Sequence, residues 1–92
     1  MDIFAQMAQN IIKEQENIIG PVALEQAQKV TGLKIDQQTK AIAVEGNKTE
    51  VIEQLVEKYR DLFGLASVEV CKGAVKDLVP KIPPGQLPSL LQ

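Results

Sequence analysis

The chain has no histidine, no tryptophan and a single cysteine, and its only aromatic residues are Phe4, Tyr59 and Phe63. Without histidine it lacks the side chain whose ordinary pKa lies near neutrality, which removes His-activated nucleophiles, the usual zinc ligands and most switches near neutral pH. Any proton transfer would fall to a shifted carboxylate or lysine. Cys71 alone cannot form an intramolecular disulfide, and the opening Met1-Asp2-Ile3-Phe4 has neither the basic region nor the long apolar run of a secretory leader. A cytoplasmic location is expected. Long apolar runs are missing too, with nothing near the roughly 18 residues that cross a bilayer, so no membrane role is expected. An excess of positive charge is also lacking. Ten Lys and Arg stand against twelve Asp and Glu, for a net charge of −2, which makes nucleic acid an unlikely partner because a phosphate backbone needs a basic face.

What is present is the make-up of a small soluble domain: 92 residues, 45% hydrophobic and 24% charged, enough for one core. From Ile3 the apolar residues recur at positions 3, 4, 7, 8, 11, 12, 18 and 19, with Gln6, Asn10, Lys13 and Glu14 opposite. That spacing predicts a helix over about 2–19. Gly20-Pro21 interrupts it, and proline suits the first turn of a new helix. A second helix is expected over 21–31, with Val22, Ala23, Leu24, Ala27 and Val30 on one face and Gly32 as its left-handed cap.

The period then shortens. Leu33 and Ile35, and Ile42 and Val44, alternate about the polar segment 36–40, which predicts a β-hairpin over about 33–45. Asn47 followed by Glu50 has the form of a capping box at a helix start. The third helix, 48–63, carries the strongest apolar stripe: Val51, Ile52, Leu55, Val56, Tyr59, Leu62 and Phe63. Gly64 ends it, and a fourth helix is expected over 65–79, up to Pro80. The segment 80–92 holds four of the five prolines and is expected as an extended, mobile tail outside a globular domain spanning 1–79. The fold class expected is α+β and mostly helical: helix–helix, β-hairpin, helix–helix.

Sliding the chain on itself by 44 positions lays Gly20 on Gly64, Glu25 on Glu69, and Ile18, Ile19 and Leu24 on Leu62, Phe63 and Val68. Duplication and the chance register of two amphipathic helices explain this equally well. At Ile18-Ile19-Gly20-Pro21-Val22-Ala23 the chain resembles short helical modules of bacterial signalling proteins, which carry an Ile-Gly-Pro-x-Ala corner and often follow kinase or cyclase domains. Those modules have no assigned catalytic residues. The resemblance implies a regulatory or adaptor role in bacteria, and the chain departs from the modules in standing alone and in containing a β-hairpin.

No motif specifies a reaction. Gly46-Asn47-Lys48-Thr49 lacks the contiguous Gly-Lys-Ser/Thr of a phosphate-binding loop and reads as a helix cap. Glu50, Glu53 and Glu57 follow one helix face and read as a solvated surface, Cys71 as a small core hydrophobe, and Ser67 as a first-turn or capping residue. No catalytic residue, metal or cofactor is expected.

The function expected is a small protein–protein interaction or adaptor module that forms a homodimer. An isolated hairpin leaves two open edges that a second subunit or a helix of the same chain must cover. Ile35, Ile42, Val44, Tyr59 and Phe63 are the candidates for the self-contact. Leu87, Leu90 and Leu91 of the tail are the candidates for a different partner. Two alternatives stay open: a helix-turn-helix-like nucleic-acid binder, reading through 65–79 or through Gln26, Gln28 and Lys29, and a small-ligand site or enzyme whose groups only folding assembles.

Overall fold

The computed structural model describes residues 2–92 and has four helices and one two-stranded antiparallel sheet, the α+β and mostly helical class expected. In chain order these are α1 (Ile3–Ile19), α2 (Val22–Ala27), β1 (Leu33–Ile35), β2 (Ile42–Val44), α3 (Lys48–Phe63) and α4 (Leu65–Val75), followed by 3₁₀ turns at Val79–Lys81 and Ser89–Leu91. Among the described residues no helix is long and apolar enough to cross a membrane.

The helix starts are written into the chain. Asp2 caps α1 by accepting the Ala5 N–H at 2.9 Å, and Asn47 caps α3 by accepting the Glu50 N–H at 3.1 Å. The Asn47 half of the expected capping box forms; Glu50 stays exposed and makes no return bond to it. Lys48 closes an ion pair onto Asp2 at 3.1 Å, which ties the first turn of α3 to the first turn of α1.

One face of each long helix builds the core. Met7, Ala8 and Ile11 of α1 and Ile52, Leu55, Val56 and Tyr59 of α3 are completely buried, joined by Ala23 and Ala27 of α2 and by Cys71 and Val75 of α4. Helices α1 and α4 run antiparallel in close contact, since Asn10 reaches the Ala74 carbonyl while Gln15 reaches that of Ser67. The hairpin pairs Leu33 with Val44, Lys34 with Ala43 and Ile35 with Ile42. Its buried residues are Leu33 and Val44, and β2 lies against α1. The inner face of the hairpin is therefore covered by this chain's own helix.

Two helices end earlier than periodicity predicts. α2 stops at Ala27 because the chain tightens into three-residue turns, Lys29 N–H to Gln26 and Val30 N–H to Ala27, each at 3.1 Å. That descent brings Gly32 so close to β2 and α3 that a Cβ there would lie 2.8 Å from both the Glu45 carbonyl oxygen and Val51 Cγ2. α4 stops at Val75 and hands over to 3₁₀-type bonds, Leu78 N–H to Val75 and Lys81 N–H to Leu78. Pro80 has no N–H to continue the ladder and disfavours helical geometry at Val79.

The largest departure is the segment 80–92, which is folded where an extended tail is expected. Ile82, Pro88 and Leu91 are buried and Leu87 and Leu90 half-buried against the core cluster, with the second 3₁₀ turn seated on α3 and α4. Polar clamps hold it. Thr49 donates its hydroxyl to the Gln86 carbonyl at 2.7 Å, while the Glu53 carboxylate accepts the Leu90 N–H at 2.8 Å and the Ser89 hydroxyl. Glu53 thus caps a 3₁₀ turn 36 residues further along the chain, and the segment belongs to the same packing unit as 2–79.

Candidate functional site

The feature of the surface that the fold leaves unexplained lies at the two glycine corners. Gly20 (φ 74°, ψ −151°) joins α1 to α2, and Gly64 (φ 79°, ψ −167°) joins α3 to α4. This combination of positive φ and extended ψ is open essentially to glycine alone. Each glycine N–H closes the preceding helix, onto Glu16 at 3.0 Å and onto Arg60 at 2.7 Å. Each glycine carbonyl then accepts the N–H three residues on, from Ala23 and from Ser67, both at 3.1 Å. The two corners are thus one local structure used twice, 44 positions apart.

Tertiary bonds bring the corners to the same end of the molecule. Gln15 of α1 bonds Ser67 of α4, so the last turn of α1 lies beside the first turn of α4. Tyr59 of α3 donates its hydroxyl to the Ala23 carbonyl of α2 at 2.7 Å, so the last turn of α3 lies beside the first turn of α2. At this end the stripes of α1 and α3 run one turn past the core. Ile18, Val22, Leu62, Phe63 and Leu65 are its exposed large apolar residues, from 37% at Val22 to 75% at Leu65. Ile18 and Leu62 are equivalent positions under the 44-residue shift, so both halves expose the same place in the corner. The adjoining charges on α3 are of both signs and paired with one another, Arg60 with Asp61 at 3.4 Å.

The residues named from sequence for self-contact are not gathered into one surface. Val44 and Tyr59 are core residues of this chain, 5% and 0% exposed, because the hairpin packs on α1 and the Tyr59 hydroxyl finds its partner inside. Ile35 and Ile42 form a half-buried cross-strand pair on the hairpin. Phe63 does reach the exposed end. Of the tail leucines, Leu91 is buried and Leu87 and Leu90 pack against the core cluster; none is presented outward on a free tail. Sequence reasoning missed Ile18, Val22, Leu62 and Leu65. The available signal was that apolar residues crowd both sides of each glycine, a density that a corner of so few residues cannot bury.

The chemistry available elsewhere is sparse. Cys71 is fully buried and accepts a hydrogen bond from the Gln15 amide at 3.4 Å. Burial pushes its thiol up to about 11, opposed in part by that bond, so it is held as a neutral thiol and is no nucleophile near neutrality. Burial likewise raises the Tyr59 hydroxyl above its ordinary value, with the negative charges of Cys71, once ionised, and of Glu16 adding to the effect. Glu50, Glu53 and Glu57 do not act as a set, since Glu53 is committed to the 3₁₀ turn of the tail. Among the described residues no group of three or more Cys, Asp or Glu is placed to hold a metal ion. Comparison with known proteins finds no family model, no curated sequence and no solved structure that matches the chain.

Proposed function

We propose that the chain is a self-associating protein–protein interaction module whose contact surface is the glycine-corner end. The observation that carries this reading is the overrun of the two stripes, which leaves Ile18, Val22, Leu62, Phe63 and Leu65 each exposed, all within two residues of a glycine corner. Taking full exposure of a large apolar side chain as about 150–250 Å², the five present roughly 500 Å² to solvent, at the upper end for the largest apolar patch of a monomer. A standard interface covers about 800 Å² per partner, of which roughly 56–65% is apolar, so one such patch meeting its copy across a two-fold axis supplies the apolar part of a stable dimer. The rim of both signs suits a copy of itself better than a partner of one strong charge. A reducing compartment suits the reading too, since the contact needs no disulfide and the one thiol is buried. A regulatory or adaptor use in bacterial signalling rests on the resemblance around Gly20-Pro21 alone.

Sedimentation equilibrium of the full chain at high micromolar concentration tests the reading. Twice the 10.1 kDa chain mass is expected, and the double variant L62K/L65K should return the monomer with its melting temperature at low concentration unchanged. A wild-type mass near 10 kDa over the whole concentration range rejects the proposal. A dimer that survives L62K/L65K places the contact elsewhere.

A further inference from the structure

We infer that the cleft between α1, α2 and the hairpin is a binding site for a small aliphatic carboxylate. The cleft has a volume of about 200 Å³ and an apolar floor made by Ile12 of α1, Leu24 of α2 and the cross-strand pair Ile35 and Ile42. Three elements that are distant in sequence therefore contribute one aliphatic surface. Its charged groups are Lys13 and Glu16 on α1 and Lys40 on the hairpin loop, with Gln9 as the neutral polar neighbour. Two ammonium groups against one carboxylate give the cleft a net positive charge, in a chain whose overall charge is negative. Among the described residues neither lysine is taken up by an ion pair.

Lys40 is the observation that separates this cleft from an ordinary surface dimple. Among the described residues it is the non-glycine residue with positive φ, at 63°. The loop is shaped by Asp36, whose carboxylate accepts the N–H groups of Gln38 and Thr39 at 2.8 and 3.2 Å, and whose carbonyl accepts the Lys40 N–H at 2.7 Å. A turn that needs only this shape favours glycine or asparagine at the left-handed position. The residue there is instead an exposed lysine that lines a cleft with an apolar floor, with the nearby Asp36 carboxylate already occupied by backbone N–H groups. Backbone strain of this kind gathers where ligands are held.

The size of the cleft limits the ligand. At about 200 Å³ it lies below the roughly 300–1,000 Å³ of drug-sized sites and suits a short aliphatic chain and its carboxylate. The carboxylate lies toward Lys13 and Lys40 and away from Glu16, with the chain on Ile12, Leu24, Ile35 and Ile42. None of these residues is among the exposed apolar side chains of the glycine-corner end, so the site does not depend on self-association.

Methyl and amide NMR titration of the full chain with hexanoate, hexan-1-ol, hexylammonium and acetate tests the assignment. Hexanoate should shift the methyl signals of Ile12, Leu24, Ile35 and Ile42 with a Kd of the order of 1 mM, as befits a ligand of about eight non-hydrogen atoms. Acetate lacks the chain, hexan-1-ol lacks the charge, and hexylammonium reverses its sign, so each should bind more weakly. Lys40→Gly should weaken hexanoate by about fivefold, the upper range for an exposed charge pair, while leaving the melting temperature equal or higher. Glu16→Gln should strengthen it. No hexanoate response at these methyls, a response to hexylammonium of equal strength, or wild-type affinity in the Lys40→Gly protein overturns the proposal.

Discussion

Gly20 and Gly64 hold the same backbone conformation 44 positions apart, each closing one helix at a corner, with α4 starting directly after Gly64 and α2 one residue later, after Pro21. Nothing lies within 4 Å of a Cβ built at either, so the cost of a side chain there is purely one of backbone strain. Gly20→Ala and Gly64→Ala should each destabilise by about 1–3 kcal/mol in urea unfolding. Gly32→Ala should cost more than either, because it adds the 2.8 Å approaches to Glu45 and Val51 to the same positive-φ penalty. Similar losses at all three positions would contradict this ordering.

The tail segment should behave as core. Leu91→Ala removes a side chain only 5% exposed and should cost about 2–3 kcal/mol, within the range for a buried leucine. Glu53→Ala removes the acceptor for Leu90 and Ser89 and should cost about 1–2 kcal/mol. Hydrogen exchange at the Leu90 amide gives an independent reading: fast exchange in the wild-type protein would show the segment unclamped.

Alkaline pH should destabilise the fold. The Cys71 thiol ionises at about 11 when folded against 9.0 for the ordinary group, so above pH 9 the unfolded chain binds fewer protons than the native one. Stability is therefore fully present below about pH 9, declines as pH rises from there, and Cys71 contributes no further loss above about 11. Tyr59, raised in the same sense, extends the decline to higher pH. Cys71→Ala should reduce the slope between pH 9 and 11, and the native thiol should resist alkylation at pH 8 until urea exposes it.

Tyr59→Phe removes the hydroxyl that joins α3 to the Ala23 carbonyl and should cost about 1 kcal/mol while keeping the ring's packing. An unchanged urea midpoint would mean that the bond carries no net stability.

Local rules made most of the fold legible. The apolar stripes, the Gly-Pro and Gly64 breaks, the alternation about segment 36–40 and the Asn47 cap are all decided within a few residues, and each expected helix and strand forms, with α2 and α4 ending short of the bounds that periodicity predicts. What escaped was non-local. Prolines at 80, 83, 84 and 88 forbid a regular helix but say nothing about where Ile82 and Leu91 pack. A glutamate on the wet side of α3 gives no sign of capping a turn 36 residues away. The exposed end was hidden for the same reason: the stripe of α3 is continuous through Tyr59, Leu62 and Phe63, and only the relative lengths of the packed helices decide which of these is core. The cleft depends on a left-handed lysine, which no pattern of residue types announces.

Gln15 is 1% exposed within an otherwise apolar face, and its amide reaches Ser67 and Cys71 on α4. Aliphatic side chains tolerate sliding past one another, and small residues such as Ala8 and Ala74 would offer little resistance if α1 moved by a turn against α4. Such a slip would strand the Gln15 amide without an acceptor, at a cost of about 1–3 kcal/mol. One buried amide thus distinguishes the native alignment of the two helices from its near neighbours. Gln15→Leu should consequently yield a protein of similar melting temperature but broadened amide resonances along α1 and α4, as alignments that the wild-type chain excludes become populated.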